Sequence, residues 1–212
     1  MNPRLLIFAK APVAGAAKTR LIPVLGADGA AALAQRMLVH ALVQAKAAQL
    51  GAVELCVSPA ATDEVWGPWR ARHTGLWSDQ GAGNLGERMA CAVQRVLAAG
   101  RSVLLVGTDC PALDAAHLRR AAAALTQHDA CLIPAYDGGY VLLGLRRFDA
   151  TVFSEIAWST PSVARVTLDR LRQLGWSVQV FAPVHDIDEP ADLPYLPGDW
   201  VKTLVARVPE AS

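Results

Sequence analysis

Short apolar runs alternate with longer helical stretches along this chain, and this alternation limits the fold more than any other feature of the sequence. The runs at residues 4–9 (RLLIFA) and 102–106 (SVLLV) are almost continuously apolar, which is typical of strands covered by helices on both faces of a sheet. Strands that alternate with helices form a mostly parallel sheet, so the sequence predicts an α/β protein with three layers, α/β/α. Five further strands are predicted, at residues 52–58, 73–78, 130–135, 139–145 and 178–182.

Four helices are predicted in the intervals between the strands. In the first, residues 28–50, apolar side chains recur every four residues and form one face. The second and third are expected at residues 85–99 and 114–127. The fourth is expected to be capped by Thr160 and opened by Pro161, because a hydroxyl cap followed by proline is a common helix start.

Composition narrows the class of protein. The 212 residues are 53% hydrophobic and 18% charged, enough apolar material for one domain, predicted at residues 1–200 with a tail at 201–212. The formal net charge of +1 argues against a nucleic-acid partner, which usually requires a marked basic excess. No apolar run approaches the ~18 residues of a membrane span, no signal peptide is evident, and the four cysteines lack CxxC spacing. We therefore expect a cytoplasmic protein without membrane or nucleic-acid partners, of undefined oligomeric state.

Ligands of open parallel sheets bind beyond the carboxyl ends of the strands, so functional residues are expected in the loops there. The loop after the first strand carries Lys10, Lys18 and Arg20 around Gly15. Lysine and arginine bind phosphate oxygens through charged hydrogen bonds, and a glycine turn exposes backbone N–H groups. Ala17 stands where a P-loop has glycine. The loop is predicted to bind phosphate in another way, with a solvated basic loop as the alternative.

A glycine-rich loop precedes the second predicted helix. Gly81, Gly83 and Gly86 match the GxGxxG fingerprint of dinucleotide-binding proteins, and Asp109 lies near the position of its acidic partner. The match does not follow the first strand, so an NAD(P)-dependent oxidoreductase is the weaker interpretation. The loop is predicted to approach a nucleotide base or ribose, with Asn84 as a helix N-cap, and a plain glycine turn is the alternative.

Carboxylates follow two other predicted strands. Asp109 comes just after residues 102–106, where an unpaired charge would be costly. Asp186 and Asp188 are two residues apart and would share one face of an extended segment. Because Mg²⁺ is usually held by one or two carboxylates together with substrate phosphates, the three residues are predicted to bind Mg²⁺ or Mn²⁺. A turn or helix cap at Asp109 and a solvated acidic loop at the other two are the alternatives.

Two more loops are candidates for contacts with a second substrate. Asp137, Gly138 and Gly139 lie between two predicted strands, where Asp-Gly-Gly first of all indicates a hairpin turn. Ser159 and Thr160 precede the fourth helix, whose N-terminus attracts anions. An acceptor substrate is expected over these loops, and purely structural turns are the alternative.

The segments FAKAPVAGAAKTRL, QGAGNLGERM, VGTDCPAL, PAYDGGYVLLGL, WST and DIDEPADL occur in this order between residues 4 and 196. Together they resemble a bacterial glycosyltransferase-like family of unknown function in the nucleotide-diphospho-sugar transferase (GT-A) superfamily. More distantly, the layout is similar to 2-phospholactate guanylyltransferase and the molybdenum-cofactor nucleotidyltransferases. The resemblance implies a GT-A fold. It also implies phosphate ligands at Lys10, Lys18 and Arg20 and metal ligands at Asp109, Asp188 and, as a further candidate, Asp186.

Residues and resemblance together favour a Mg²⁺-dependent nucleotidyltransferase. Such an enzyme would move a nucleoside monophosphate from a nucleoside triphosphate to a small phosphorylated or carboxylated acceptor and release pyrophosphate. Lys18, Arg20 and Asp109 would be catalytic. The expected nucleotide-binding residues are Lys10, Pro12, Gly15, Lys18, Arg20, Gly83, Asn84 and Gly86. A glycosyltransferase that uses a nucleotide sugar and a non-catalytic nucleotide-binding protein are the alternatives.

Overall fold

A seven-stranded sheet forms the centre of the molecule. The structure is a computed structural model that describes residues 2–198 and 200. The strands are β1 (Arg4–Lys10), β2 (Val53–Ser58), β3 (Leu76–Asp79), β4 (Val103–Val106), β5 (Ala130–Pro134), β6 (Tyr140–Leu145) and β7 (Val178–Val180). Their order is β3-β2-β1-β4-β6-β5-β7, and β6 runs antiparallel to β4 and β5 while the other pairs are parallel. The predicted strands and the mostly parallel sheet are confirmed.

Helices cover both faces of this sheet, as the sequence predicts. They are α1 (Ile22–Ala48), α2 (Gly67–Arg70), α3 (Leu85–Ala98), α4 (Ala115–Ala124) and α5 (Val163–Gln173). Alternate residues of β1 serve the two cores, because successive strand side chains point to opposite faces. Leu5 and Ile7 pack with α1 and α4, whereas Leu6 packs with α3 and α5. None of the described helices is long and apolar enough to cross a membrane.

Some element boundaries differ from the prediction. α1 starts at Ile22 rather than at residue 28 and carries a kink at Gly26, whose φ of +69° suits glycine. Thr160 does not cap α5. Its hydroxyl instead donates to the Ala157 carbonyl at 2.7 Å, and Ser162 is the residue that precedes the helix. The predicted tail at residues 201–212 lies outside the described residues.

The loops that follow β1 and β4 lie side by side, because β1 and β4 are parallel neighbours. The β5–β6 connection, at residues 135–139, forms the predicted hairpin turn. The segment after β7 passes beside these loops and enters a 3₁₀ helix at Pro190–Tyr195. Four loops that are far apart in sequence therefore meet at one end of the sheet.

Candidate active site

A cleft of about 840 Å³ opens at the carboxyl ends of β1 and β4. Its walls come from the loops after those strands, from the β5–β6 turn, from the segment before α5 and from the segment after β7. Ten of the residues predicted from the sequence line it: Lys10, Lys18, Arg20, Asp109, Asp137, Gly139, Ser159, Thr160, Asp186 and Asp188. The structure thus brings most of the predicted side chains to a single cavity.

Lys18 lies between two of the predicted carboxylates. Its Nζ is 2.7 Å from Asp109 Oδ1, 2.7 Å from Asp188 Oδ1 and 2.5 Å from the Ile187 carbonyl oxygen. These contacts use all three donors of the ammonium group. The Lys18 side chain is only 6% exposed, whereas those of Asp109 and Asp188 are 46% and 41% exposed. Lys18, Asp109 and Asp188, called the cleft cluster below, therefore place a buried cation behind two carboxylates that face the cavity.

Backbone contacts hold the two carboxylate-bearing segments together. The Ile187 N–H donates to the Asp109 carbonyl at 2.9 Å, and Cys110 Sγ contacts the His185 carbonyl at 3.2 Å. Ile187 is fully buried, so its neighbours Asp186 and Asp188 lie on the opposite side of the extended segment and face the cleft. This alternation produces the shared face that the sequence predicts.

Burial and neighbouring charges together shift the pKa values of Lys18 and Asp186. Burial lowers the pKa of Lys18, but the ion pairs with Asp109 and Asp188 outweigh burial and raise it above its ordinary value. Burial raises the pKa of Asp186 to about 7, and the negative charges of Asp137 and Asp188 add to this effect.

The predicted metal ligands are only partly assembled. Within residues 2–198 and 200, no group of three His, Cys, Asp or Glu side chains is arranged to hold a metal ion, so a three-carboxylate site with Asp186 is not formed. Asp109 and Asp188 do form a pair, since their Oδ1 atoms share one nitrogen and lie within twice 2.7 Å of each other. Their Oδ2 atoms accept no hydrogen bond from any described residue. Two carboxylates fit a Mg²⁺ or Mn²⁺ ion whose other ligands are phosphate oxygens and water.

Two further cations border the cleft. Arg20 Nη1 lies 3.2 Å from Glu189 Oε1, and both side chains are more than half exposed. Lys10 is exposed at the end of β1 and its side chain has no ion pair with any described residue. Exposed ion pairs contribute little energy, so both cations can exchange solvent or a weak partner for an anionic ligand.

Several predicted residues lie outside the cleft lining and have local roles. Asn84 forms a capping box with Glu87, in which Asn84 Oδ1 accepts from the Glu87 N–H at 3.1 Å and Glu87 Oε2 accepts from the Asn84 N–H at 2.8 Å. A Cβ at Gly86 would collide with the Phe153 carbonyl, and one at Gly138 with Pro161. The others outside the lining, at turns or loop positions, are Pro12, Gly15 and Gly83.

The cleft also contains a pair that sequence reasoning missed. Gln80 is buried at the end of β3, and its Nε2 donates to the carbonyls of Ala9 and Cys56, both at 3.1 Å. The remaining amide oxygen accepts a hydrogen bond from Arg88 Nη1 at 2.8 Å, which fixes that arginine at the cleft. The sequence signal that could have predicted this contact is the position of Arg88, a basic residue one turn into the helix that follows the glycine-rich loop.

A buried hydroxyl lies on the side of the cleft where an acceptor is expected. The Tyr140 ring meets the Trp158 ring edge to face, with centroids 6.5 Å apart, and both residues line the cleft. The Tyr140 hydroxyl is buried without a hydrogen-bond partner among the described residues. Burial raises its pKa well above the usual range, so this hydroxyl is neutral.

Comparison with known proteins places this fold in a class. The fold is that of the nucleotide-diphospho-sugar transferase (GT-A) superfamily. Within that class the chain belongs to the bacterial family described as "Uncharacterized protein conserved in bacteria (DUF2064)", whose model matches residues 38–160. A search of curated proteins found no match.

Three solved structures illustrate the likeness. A protein of Desulfovibrio desulfuricans G20, assigned provisionally as a nucleotide-diphospho-sugar transferase, is 30% identical, with a TM-score of 0.86 over 93% of this chain and 87% of the other. The 4-diphosphocytidyl-2C-methyl-D-erythritol synthase of Anaerococcus prevotii DSM 20548 is 12% identical, with a TM-score of 0.58 over 98% of this chain and 100% of the other. CMP:2-keto-3-deoxy-manno-octonic acid synthetase in complex with CTP is 14% identical, with a TM-score of 0.56 over 98% and 99%. The last two share the fold alone.

Proposed function

We propose that this protein is a nucleotidyltransferase whose cleft binds a nucleoside triphosphate and a small phosphorylated or carboxylated acceptor. The observation that carries the proposal is the cleft cluster. Lys18, in the loop after β1, holds Asp109, which follows the adjacent parallel strand β4, and Asp188, in the segment after β7. Cations that flank paired carboxylates suit a triphosphate with its divalent ion, because the carboxylates hold the ion and the cations hold the phosphates.

Lys10 and Arg20 are the proposed phosphate ligands. Both line the cleft, and neither is tied into a buried pair. Each can therefore donate charged hydrogen bonds to the β- and γ-phosphates and stabilise the pyrophosphate that leaves. Lys18 can join them only by giving up a contact with protein, since all three of its donors are already in use.

Asp109 and Asp188 would hold Mg²⁺ or Mn²⁺. When bound, the ion neutralises phosphate charge and makes the α-phosphorus a better electrophile. An acceptor oxygen then forms a bond to the α-phosphorus, the bond to the bridging β-phosphate oxygen breaks, and pyrophosphate departs. Positioning and charge neutralisation supply most of the rate enhancement in such transfers.

The acceptor would bind over the β5–β6 turn and the segment before α5. Asp137, Ser159 and Thr160 line that side of the cleft, and the neutral Tyr140 hydroxyl there has no hydrogen-bond partner in the part of the chain that the structure describes. Arg88, which Gln80 holds at the cleft, is available to the nucleoside half of the donor. The same cavity therefore offers polar groups to both substrates.

Glycosyl transfer from a nucleotide sugar is a second candidate. The 30% identical protein of Desulfovibrio desulfuricans G20 carries that provisional assignment. A nucleotide sugar has a diphosphate in place of a triphosphate and would need fewer cations than the three proposed here for the phosphates, Lys10, Lys18 and Arg20. Binding of donors therefore separates the two candidates.

The test is thermal stabilisation by nucleoside triphosphates, nucleotide sugars and NAD(P), each with and without Mg²⁺, followed by an assay for pyrophosphate release. We expect a Mg²⁺-dependent rise in Tm with one triphosphate, and its loss in Asp109→Asn. Asp169→Asn, which changes a half-exposed carboxylate on α5, is the matched control and should behave as wild type. A rise with a nucleotide sugar alone would favour glycosyl transfer, and no rise with any compound would refute both candidates.

A further inference from the structure

The position of Lys18 bears on how the cleft takes up a cation. We infer that the Lys18 ammonium holds the place of a divalent cation between Asp109 and Asp188, so that Lys18 and the cation compete for the same two carboxylates. The inference rests on the proposed function only in treating Asp109 and Asp188 as cation ligands. It predicts that the protein without nucleotide binds divalent ions weakly, and that nucleotide and ion enter together.

The geometry of the contacts supports competition. Lys18 Nζ is equally close, 2.7 Å, to Asp109 Oδ1 and Asp188 Oδ1, the spacing of strong charge-assisted hydrogen bonds. An ion shared by the two carboxylates would lie only a few ångströms from this ammonium group. Like charges at such a distance repel strongly where water is scarce, and only 6% of the Lys18 side chain is exposed. One cation between the carboxylates therefore disfavours the other.

Phosphate oxygens can bind Lys18 in place of the two carboxylates and so end this competition. Lys18 lies in the same cleft as Lys10 and Arg20, and a flexible four-carbon side chain can move its ammonium group to a nearby phosphate. Once Lys18 has exchanged its carboxylate contacts for phosphate, Asp109 and Asp188 are left with two uncompensated charges. Nucleotide would then strengthen binding of the ion, and by linkage the ion would strengthen binding of nucleotide by the same factor.

The test measures Mn²⁺ binding to the protein without nucleotide, by the electron paramagnetic resonance signal of free Mn²⁺. Lys18→Met removes the charge and keeps the length of the side chain, and Lys18→Gln keeps a donor for the Ile187 carbonyl in case the methionine variant does not fold. Both should bind Mn²⁺ at least about tenfold more tightly than wild type, because removing one positive charge beside the ion removes that repulsion. Lys18→Arg keeps the charge and should stay within about threefold of wild type.

Two results would overturn the inference. The first is an unchanged or weaker Mn²⁺ affinity in the neutral variants, which would mean that Lys18 does not compete with the ion. The second is a gain that persists in Lys18→Met/Asp109→Asn, which would place the ion elsewhere. These measurements involve no turnover, so they can be interpreted even if the protein does not catalyse the proposed reaction. Conversely, an unchanged Mn²⁺ affinity in the Lys18 variants would not by itself exclude nucleotidyl transfer.

Discussion

Two ion clusters at opposite ends of the sheet have reversed charge patterns. In the cleft cluster, a buried lysine lies between two half-exposed carboxylates. In the second, called the Glu54 cluster, Glu54 is 2% exposed and binds Arg4 at 2.7 Å, Arg95, and the Ser78 hydroxyl at 2.6 Å. Arg4 and Glu54 lie at the starts of β1 and β2, far along the strands from the cleft.

The two clusters differ in the partly exposed side chains that surround the buried ion, called the outer ions below, and in whether their polar atoms are already hydrogen-bonded. Both Glu54 oxygens are occupied, Oε2 by Arg4 and Oε1 by Ser78 and Arg95, and the residues of this cluster do not line the cleft. In the cleft cluster the outer ions are carboxylates whose second oxygens accept no hydrogen bond from described residues. A closed cluster stabilises the fold, whereas an open one can also bind a ligand.

Asp109→Asn should have the largest effect on function. We expect the rate of nucleotidyl transfer to fall by about 10³, the cost of losing a group that places charge at the reacting phosphate. Stability should change much less, because Asp188 and the Ile187 carbonyl still bind Lys18. Pyrophosphate release and thermal unfolding measure the two effects. If Asp109→Asn were unstable but as active as wild type per folded molecule, the cleft cluster would be structural, like the Glu54 cluster.

Glu54→Ala should show the opposite pattern. Removal of Glu54 leaves Arg4 and Arg95 unpaired against the sheet, and breaking a buried ion pair costs about 3 kcal/mol of unfolding free energy. The rate per folded molecule should match wild type, since the cluster lies away from the cleft. Urea unfolding measures the loss, and Glu64→Ala, at an exposed position, is the control, with an expected change of about 0.5 kcal/mol or less.

Local patterns explain why so much of the fold could be predicted. Apolar runs mark strands buried on both faces, and β1 and β4 are the clearest examples. The rule that ligands bind at the carboxyl ends of strands then selects the right loops. The β5–β6 turn and the Asn84 cap depend on residues within a few positions of each other, so the sequence carries them directly.

Pairings across the chain explain what could not be predicted. Lys18 and Asp188 are 170 residues apart, and no local signal distinguishes a lysine that binds phosphate from one that binds two aspartates. The position of Arg88 depends on the buried amide of Gln80, whose partners belong to β1 and β2. Glu54 interrupts an apolar strand, so a partner for its carboxylate is expected from the sequence. Only the packing of α3 shows that Arg95 is one of these partners.

Acid should weaken the Glu54 cluster in a defined pH range. Burial alone would raise the pKa of Glu54, but hydrogen bonds from Arg95, Ser78 and Arg4 outweigh it and hold the pKa below its ordinary value of 4.5. A lowered folded-state pKa stabilises the protein above the unfolded-state pKa, and this contribution is lost as the pH falls through the folded-state value.

The comparison that isolates this effect is wild type against Glu54→Gln. The gap in unfolding free energy should be constant from pH 7 to about pH 5 and should narrow below that range. Urea unfolding at several pH values measures it. A gap that widens as the pH falls would show that burial, rather than the arginines, controls this carboxyl group.

Arg95→Met should have the smallest effect and tests how the outer ions of the two clusters differ. Arg95 is 48% exposed, so solvent screens its attraction to Glu54, which also keeps Arg4 and Ser78 as partners. We expect a loss of roughly 1 kcal/mol in unfolding free energy, at the upper end for a half-exposed pair. Arg165→Met, which changes a more exposed pair on α5, is the matched control and should lose less. If Arg95→Met lowered the unfolding free energy as much as Glu54→Ala, the half-exposed arginine would matter to stability as much as the buried carboxylate. The partly exposed ions of both clusters would then be essential, those of the Glu54 cluster for stability and those of the cleft cluster for function.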